Sequence, residues 1–264
     1  MNAEIIFKNL QKIREQSPLI HNITNYVVMN NTANALLALG ASPVMAHAVE
    51  EMEDMVGIAS ALVINIGTLS KEWVDAMFLA GEAAQKKGIP CVFDPVGAGA
   101  SKYRTKTCKE MIERCKPTII RGNASEIMVL ANLSEKTKGV DSTHSSDISI
   151  DAAKQLAKEY ACVVSVSGAT DYITDGITIH EITNGSPLMP KITGMGCSAT
   201  AITAAFAACN NDMLEAATCA MAIIGISGEI AAEKSNGPGS LQMNFLDTLF
   251  HLSEQQIKNQ LKIK

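Results

Sequence analysis

Aromatic residues are scarce in this chain, at 4% of 264 residues, although 47% of the residues are hydrophobic. The apolar mass is therefore Ala, Ile, Val and Met. That composition suits helices packed closely on a parallel sheet better than a sandwich of Tyr- and Trp-rich strands. Blocks of like charge are also missing, and the formal net charge is −5. The nearest basic run, Lys102 to Lys109 with Arg104 and Lys106, reads as a solvated loop and helix start, so no nucleic-acid partner is expected. There is no C-x-x-C pair. The seven cysteines (Cys91, Cys108, Cys115, Cys162, Cys197, Cys209 and Cys219) are odd in number, and several sit in apolar runs, which argues against a disulfide framework or a zinc site. Met1 to Leu10 lacks the apolar core of a signal peptide, and no stretch approaches the ~20 uninterrupted apolar residues of a membrane span. No membrane partner and a reducing, cytoplasmic setting are the expectation. No phosphate-binding G-x-x-x-x-G-K-[ST] sequence occurs.

What is present is an alternation of short apolar runs and longer helical patterns. Ala61 to Ile66, Ile89 to Phe93, Thr118 to Ile120 and Cys162 to Val166 read as buried strands. Ser70 to Lys87 reads as a helix, with Ser70 as N-cap and Gly88 as stop, and Val74, Met77, Ala80, Gly81 and Ala84 at helical spacing. Asn123 to Ala131 and Ile150 to Glu159 give two more helices, and Met213 to Ala232 a long buried one. Asp175-Gly176 between Tyr172–Thr174 and Ile177–Ile182 signals a hairpin. Ser134 to Ser149 reads as a surface loop, and Ser253 to Lys264 as a surface helix. With no repeat or linker, the expected architecture is one α/β domain over residues 1–264: a mostly parallel central sheet with helices on both faces. Such sheets bind ligands beyond the carboxyl ends of their strands.

Two strand ends and one helix start carry candidate chemistry. One strand runs into Asp94-Pro95-Val96-Gly97-Ala98-Gly99, where Asp94 is either a turn residue or a metal and phosphate group; Lys102 spoils a dinucleotide fingerprint. Another runs into Arg121-Gly122-Asn123-Ala124-Ser125-Glu126. Arg121 suits phosphate oxygens or a surface ion pair, and Asn123 with Glu126 suits a capping box that leaves Glu126 placed to hold Mg²⁺ through water. Lys191 to Thr200 places Gly194 and Gly196 just before a helix, a pattern that bares backbone N–H groups for an anion. Cys197 falls in the first turn, where a thiol pKa tends to drop. Near the start, His21 to Tyr26 precedes a helix that ends at Leu39 before Gly40; Thr24 or Asn25 reads as its N-cap, with contact to a ligand as the other option, and His21 as structural. Met45 is core filler or a pocket wall.

Taken in order, HNITNYVVMNNTANALLALGASPVMAHAVEEMEDM (21–55), FDPVGAGAS (93–101), RGNASEIMVL (121–130), SVSGATDYITDG (165–176), ITGMGCSAT (192–200) and GPGSL (237–241) resemble the hydroxyethylthiazole kinase family over nearly the whole chain. The resemblance implies a ribokinase-like fold and transfer of the ATP γ-phosphate to 4-methyl-5-(2-hydroxyethyl)thiazole in thiamine biosynthesis or salvage. It also implies Mg²⁺ and a homotrimer with sites at subunit interfaces. On motif match, Arg121, Ser167 and Gly196 meet ATP; Asn25, Val27, Met45 and Gly194 line the thiazole site; Asp94 and Glu126 lie at the metal; and Cys197 stands at the reacting hydroxyl, where many ribokinase-like enzymes have Asp. Three other readings stand beside this one: a kinase for another small alcohol such as hydroxymethylpyrimidine, an ATP-dependent dehydratase of the same fold, and a non-catalytic nucleotide-binding regulator.

Overall fold

The computed structural model describes residues 1–133 and 145–264, the side chains of 145–148 excepted. Strands β1 (Leu19–Ile23), β2 (Ser42–Val44), β3 (Ala61–Asn65), β4 (Cys91–Asp94), β5 (Ile119–Asn123), β6 (Val163–Ser167), β7 (Asp171–Thr174) and β8 (Ile179–Ile182) form one sheet in the order β2-β1-β3-β4-β5-β6-β7-β8. Every pairing from β2 to β6 is parallel, and β6-β7-β8 is antiparallel.

Alternation along the strands divides the core in two. Val63, Val92, Ile119 and Val163 stand in register across four strands and point to one face. Their neighbours Ile64, Phe93, Ile120 and Val164 point to the other, as the two-residue period of a strand requires. The first face is covered by α1 (Ala3–Gln16), α2 (Met29–Leu39), α8 (Met195–Ala208), α9 (Met213–Glu233), α10 (Pro238–His251) and α11 (Glu254–Gln260). The second is covered by α3 (Met52–Ile58), α4 (Lys71–Lys87), α5 (Lys102–Cys115), α6 (Ala124–Asn132) and α7 (Ser145–Tyr160).

Helix α8 is apolar on all sides and lies between the sheet and α9, the environment such a helix needs. Its alanines let it approach both. Helix α9 has the length and composition to cross a bilayer, but in this fold it is mostly buried among neighbouring elements. The seven cysteines are all free, and five are buried.

The sequence-based elements hold with four corrections. Thr24 and Asn25 do not cap α2: its N-cap is Val28, which makes no side-chain cap bond, and Asn25 is committed elsewhere. β1 and β2 were not anticipated; β1 buries the polar His21 and Asn22, and β2 has three residues. α7 begins at Ser145, and residues 134–144 of the expected loop lie outside the described residues. The final segment is a helix only to Gln260. Beyond it the chain turns extended, and Ile263 pairs antiparallel with Ile182 at the sheet edge. The Ser70 cap, the Gly88 stop and the Asn123–Glu126 capping box are all present.

Candidate active site

The register that builds the core also builds the site. Two residues beyond the apolar layer Val63, Val92 and Ile119, the same strand faces present Asn65, Asp94 and Arg121. All three are buried, on the face covered by α8, which packs on β3 and β4. The polar row therefore lies at the carboxyl ends of the central strands, beneath the N-terminus of α8.

One carboxylate oxygen organises it. Asp94 Oδ2 accepts from Asn65 Nδ2 at 2.8 Å and from Thr200 Oγ1 at 2.8 Å. Asn65 Oδ1 accepts in turn from Asn25 Nδ2 at 2.9 Å and from the backbone N–H of Gly67 at 2.9 Å. The same Asn25 nitrogen lies 3.4 Å from Cys197 Sγ. Arg121 Nη1 donates to the Gly196 carbonyl at 3.0 Å and reaches Thr200 Oγ1 at 3.4 Å, while its buried Nε has no partner among the described residues. Arg121 is thus a buried donor at the strand ends and makes no surface ion pair.

Gly194 begins α8 with φ of +82°, and no side chain caps the helix. A Cβ there would meet Val28 at 2.7 Å, so the turn needs glycine for both conformation and space. The first described backbone bond of this turn runs from the Ser198 N–H to the Gly194 carbonyl. The N–H groups of Met195, Gly196 and Cys197 are left for an anion, and the helix dipole favours negative charge there.

Two pKa shifts define the chemistry. Burial pushes Asp94 up to about 6, partly offset by the Arg121 charge and the hydrogen bonds it accepts; the Glu126 charge adds to the rise. Burial also pushes the Cys197 thiol up, with help from the Asp94 charge, to about 11. This reverses the drop expected at a helix N-terminus: desolvation and a nearby carboxylate outweigh the dipole. Near neutral pH the thiol keeps its proton.

Glu126 has a defined structural role. Its Oε2 accepts from the Asn123 N–H and its Oε1 from the Gly97 N–H, each at 2.9 Å, tying the glycine loop after β4 to the start of α6. Arg104, from the run read as solvated, does comparable work. Its guanidinium donates to the carbonyls of Ile66, Gly67 and Val96 and so holds the loops after β3 and β4.

Beside Arg121 and Gly196 opens a cavity of about 640 Å³. Ser167, Asp171 and Asn123 line its polar end, and Met189, Pro190, Met221 and Ile224 its apolar end. Ser167 Oγ donates to the Gly122 carbonyl at 3.3 Å. Asp171 accepts from the Gly168 N–H at 3.0 Å, and burial pushes it up to about 6. Asn25, which reaches Cys197, is buried, and Met45 is half-buried, while Val27 is 67% and Tyr26 61% exposed.

The structure thus joins Asn25, Asp94, Arg121, Gly196 and Cys197 in one hydrogen-bonded chain through Asn65 and Thr200, sets Gly194 at the start of the same helix beside Val28, and places Ser167 on the adjoining cavity. Glu126 is near enough to act on Asp94 by charge, and Val27 faces outward. Sequence reasoning missed Asn65, Asp171 and Arg104, and quoted Thr200 without giving it a role. Asn65 ends β3, so inspecting every strand end would have found it.

An open, mostly parallel sheet with buried charge at its carboxyl ends and a helix N-terminus above them is the arrangement of a ribokinase-like fold with an anion-binding place at its strand ends. Solved structures support that fold: a pyridoxal kinase from Staphylococcus aureus in complex with AMP-PCP superimposes with a TM-score of 0.62 at 17% identity, over 80% of this chain and 88% of the other. Residues 10–255 match the model of the hydroxyethylthiazole kinase family. A hydroxyethylthiazole kinase from Syntrophus aciditrophicus is 56% identical over 96% of this chain and 94% of its own length, and one from Brachyspira hyodysenteriae is 54% identical over 98% of each. The solved hydroxyethylthiazole kinase of Pyrococcus horikoshii has a TM-score of 0.91 at 42% identity, over 99% of this chain and 98% of that one. The chain belongs to the hydroxyethylthiazole kinase family.

The Asp94 environment gives a signed prediction. Its folded pKa of about 6 lies above the ordinary 3.8, so folding favours the protonated form. Above pH 6 the buried carboxylate lowers stability, by on the order of 3 kcal/mol at full ionisation. That penalty fades between pH 6 and 4 and is absent below. Asp94→Asn should therefore be more stable than the parent at pH 8, with the advantage shrinking toward pH 4. Urea unfolding at several pH values measures it; a pH-independent difference would contradict the assignment.

Proposed function

We propose that this chain transfers the γ-phosphoryl group of ATP to the primary alcohol of 4-methyl-5-(2-hydroxyethyl)thiazole, giving the thiazole phosphate and ADP and releasing one proton. The observation that carries the reading is the hydrogen-bonded row Asn25, Asn65, Asp94 and Thr200, which reaches Cys197 through Asn25 and the cavity-lining Arg121 through Thr200. Membership of the family supplies the substrate class.

On this reading the cavity takes the nucleotide. Its apolar end receives the base, and Arg121, Ser167 and Gly196 meet the phosphates. The unpartnered Arg121 Nε and the open N–H groups of α8 are preorganised donors for charge on the transferring group. Asn25, Met45, Val27 and Gly194 belong to the acceptor side. Exposed Val27 and Tyr26 at the rim of that side suit burial by another copy of the chain, so a homotrimer with sites at subunit interfaces is part of the proposal.

Mg²⁺ is the proposed metal, and the residues fit it. Both described hydrogen bonds to the Asp94 side chain use Oδ2, so Oδ1 is open, and each Glu126 oxygen keeps a lone pair beyond its single backbone bond. Two carboxylates, substrate phosphates and water form a donor set typical of Mg²⁺. Bound there, the metal would offset phosphate charge.

Cys197 acts as a contact to the alcohol. Its thiol is already protonated near neutrality, and a loose phosphoryl-transfer transition state asks little of a base. The free cysteines fit a reducing cytoplasm.

Phosphate transfer from ATP with Mg²⁺ to hydroxyethylthiazole, hydroxymethylpyrimidine and ribose, with products identified by mass, tests the reading. Selective thiazole phosphate formation is expected; its absence from folded protein would overturn the substrate. In the same assay Cys197→Asp should retain or gain activity. Complete loss in a folded Cys197→Asp protein that still binds ATP would show that the thiol itself is required.

A further inference from the structure

One wall of the large cavity is the segment 183–190, between β8 and α8. It has little regular structure of its own, yet it is held from three directions. Asn184, buried, donates through Nδ2 to Glu229 Oε2 at 2.9 Å and to the Gln260 carbonyl at 2.8 Å, and its Oδ1 accepts from the Lys262 N–H at 2.8 Å. The Gly185 N–H donates to Glu229 Oε1 at 3.0 Å, and Lys262 Nζ reaches the same oxygen at 2.8 Å. The chain around Lys262 pairs with the strand that leads into the wall: the Thr183 N–H donates to the Lys262 carbonyl at 3.0 Å, and Glu181 and Lys264 exchange backbone bonds at 3.0 and 3.1 Å.

The helix beneath is shaped for this contact. Gly225 of α9 lies against Asn184, where a Cβ would meet the Asn184 carbonyl oxygen at 2.6 Å. A Cβ on Gly228 would collide with the Met189 sulfur. Gly225, Gly228 and Glu229 thus make a seat on one turn of α9, with Glu229 as its polar latch. Burial raises the Glu229 carboxyl, but donation from Lys262, Gly185 and Asn184 outweighs it and holds the group below the usual carboxylate range. Glu229 does not itself line the cavity.

We propose that Glu229 is a positioning residue for the nucleotide: by gripping Asn184 and Gly185 it fixes the 183–190 wall against which the base and sugar of ATP rest. The proposal depends on the cavity being the nucleotide site. Glu229 touches no reacting atom, so its effect falls on nucleotide affinity and leaves the chemical step alone.

Glu229→Gln keeps the shape but cannot accept from both Asn184 and Gly185, because one oxygen becomes an NH₂ donor. The expected result is a KM for ATP raised on the order of tenfold, with kcat and the KM for the alcohol unchanged. Amide hydrogen exchange across 183–190 in the ligand-free protein should also speed up. Lys262→Met, on an exposed side chain, should move both readouts the same way by about twofold, and it serves if Glu229→Gln does not fold. Photolabelling of the parent with 8-azido-ATP, mapped by mass spectrometry, checks the premise separately. Label on 183–190 or 221–225 supports it; label on other residues of the cavity lining overturns the role of the wall while keeping the cavity assignment, and label outside the cavity overturns both, whether or not the chain phosphorylates the thiazole. Label on the wall, with unchanged ATP KM and exchange in the folded variants, would overturn the role of Glu229 alone.

Discussion

A single buried carboxylate holds the site together. Asp94 lies within the sheet at the end of β4, and its Oδ2 receives both Asn65 and Thr200. As an ionised carboxylate it can only accept. That fixes which way the Asn65 amide faces, so that Asn65 Oδ1 must take the Asn25 donor, and Asn25 then turns its nitrogen toward Cys197. A charge on one strand thereby orients a polar chain that runs from the loop after β1 through the ends of β3 and β4 to α8. The same charge contributes to keeping the Cys197 thiol protonated.

The arrangement works against stability. A carboxylate lifted to about 6 by burial would be better tolerated as a neutral group. The surroundings limit the penalty without removing it: Arg121 contributes charge through the buried interior, and Thr200 and Asn65 supply donors. A penalty of this kind at the carboxyl ends of parallel strands makes Asp94 a candidate functional carboxylate. The loops around it are stiffened in compensation, by Glu126 on the Gly97 N–H and by Arg104 on three loop carbonyls.

The central strands were legible in the sequence because buried parallel strands read as apolar runs bounded by turn residues, and the caps at Ser70 and Asn123 because their hydrogen bonds are local. Asp94, Arg121 and Cys197 were legible because the strand-end rule says where to look and the family resemblance says which residues matter. β1 was not legible: its His21 and Asn22 are polar, and only the covering structure makes them interior. The cap option for Asn25 fails because the partners that claim it, Asn65 and Cys197, are 40 and 172 residues away and leave no local trace. The direction of the Cys197 shift failed for the same reason. A local rule about helix ends was overruled by burial and by a carboxylate brought from another strand. The Asn184–Glu229–Lys262 contacts joining α9 and the final residues to the cavity wall have no local signature at all.

On the proposed function, the Asp94 charge serves the reaction at the expense of the fold. The most direct test is turnover by Asp94→Asn, which keeps size and an acceptor oxygen but removes the charge, measured beside its ATP affinity. A folded protein with kcat lowered by on the order of a hundredfold or more is expected. Turnover within a few-fold of the parent would contradict it and leave Asp94 as a structural anchor.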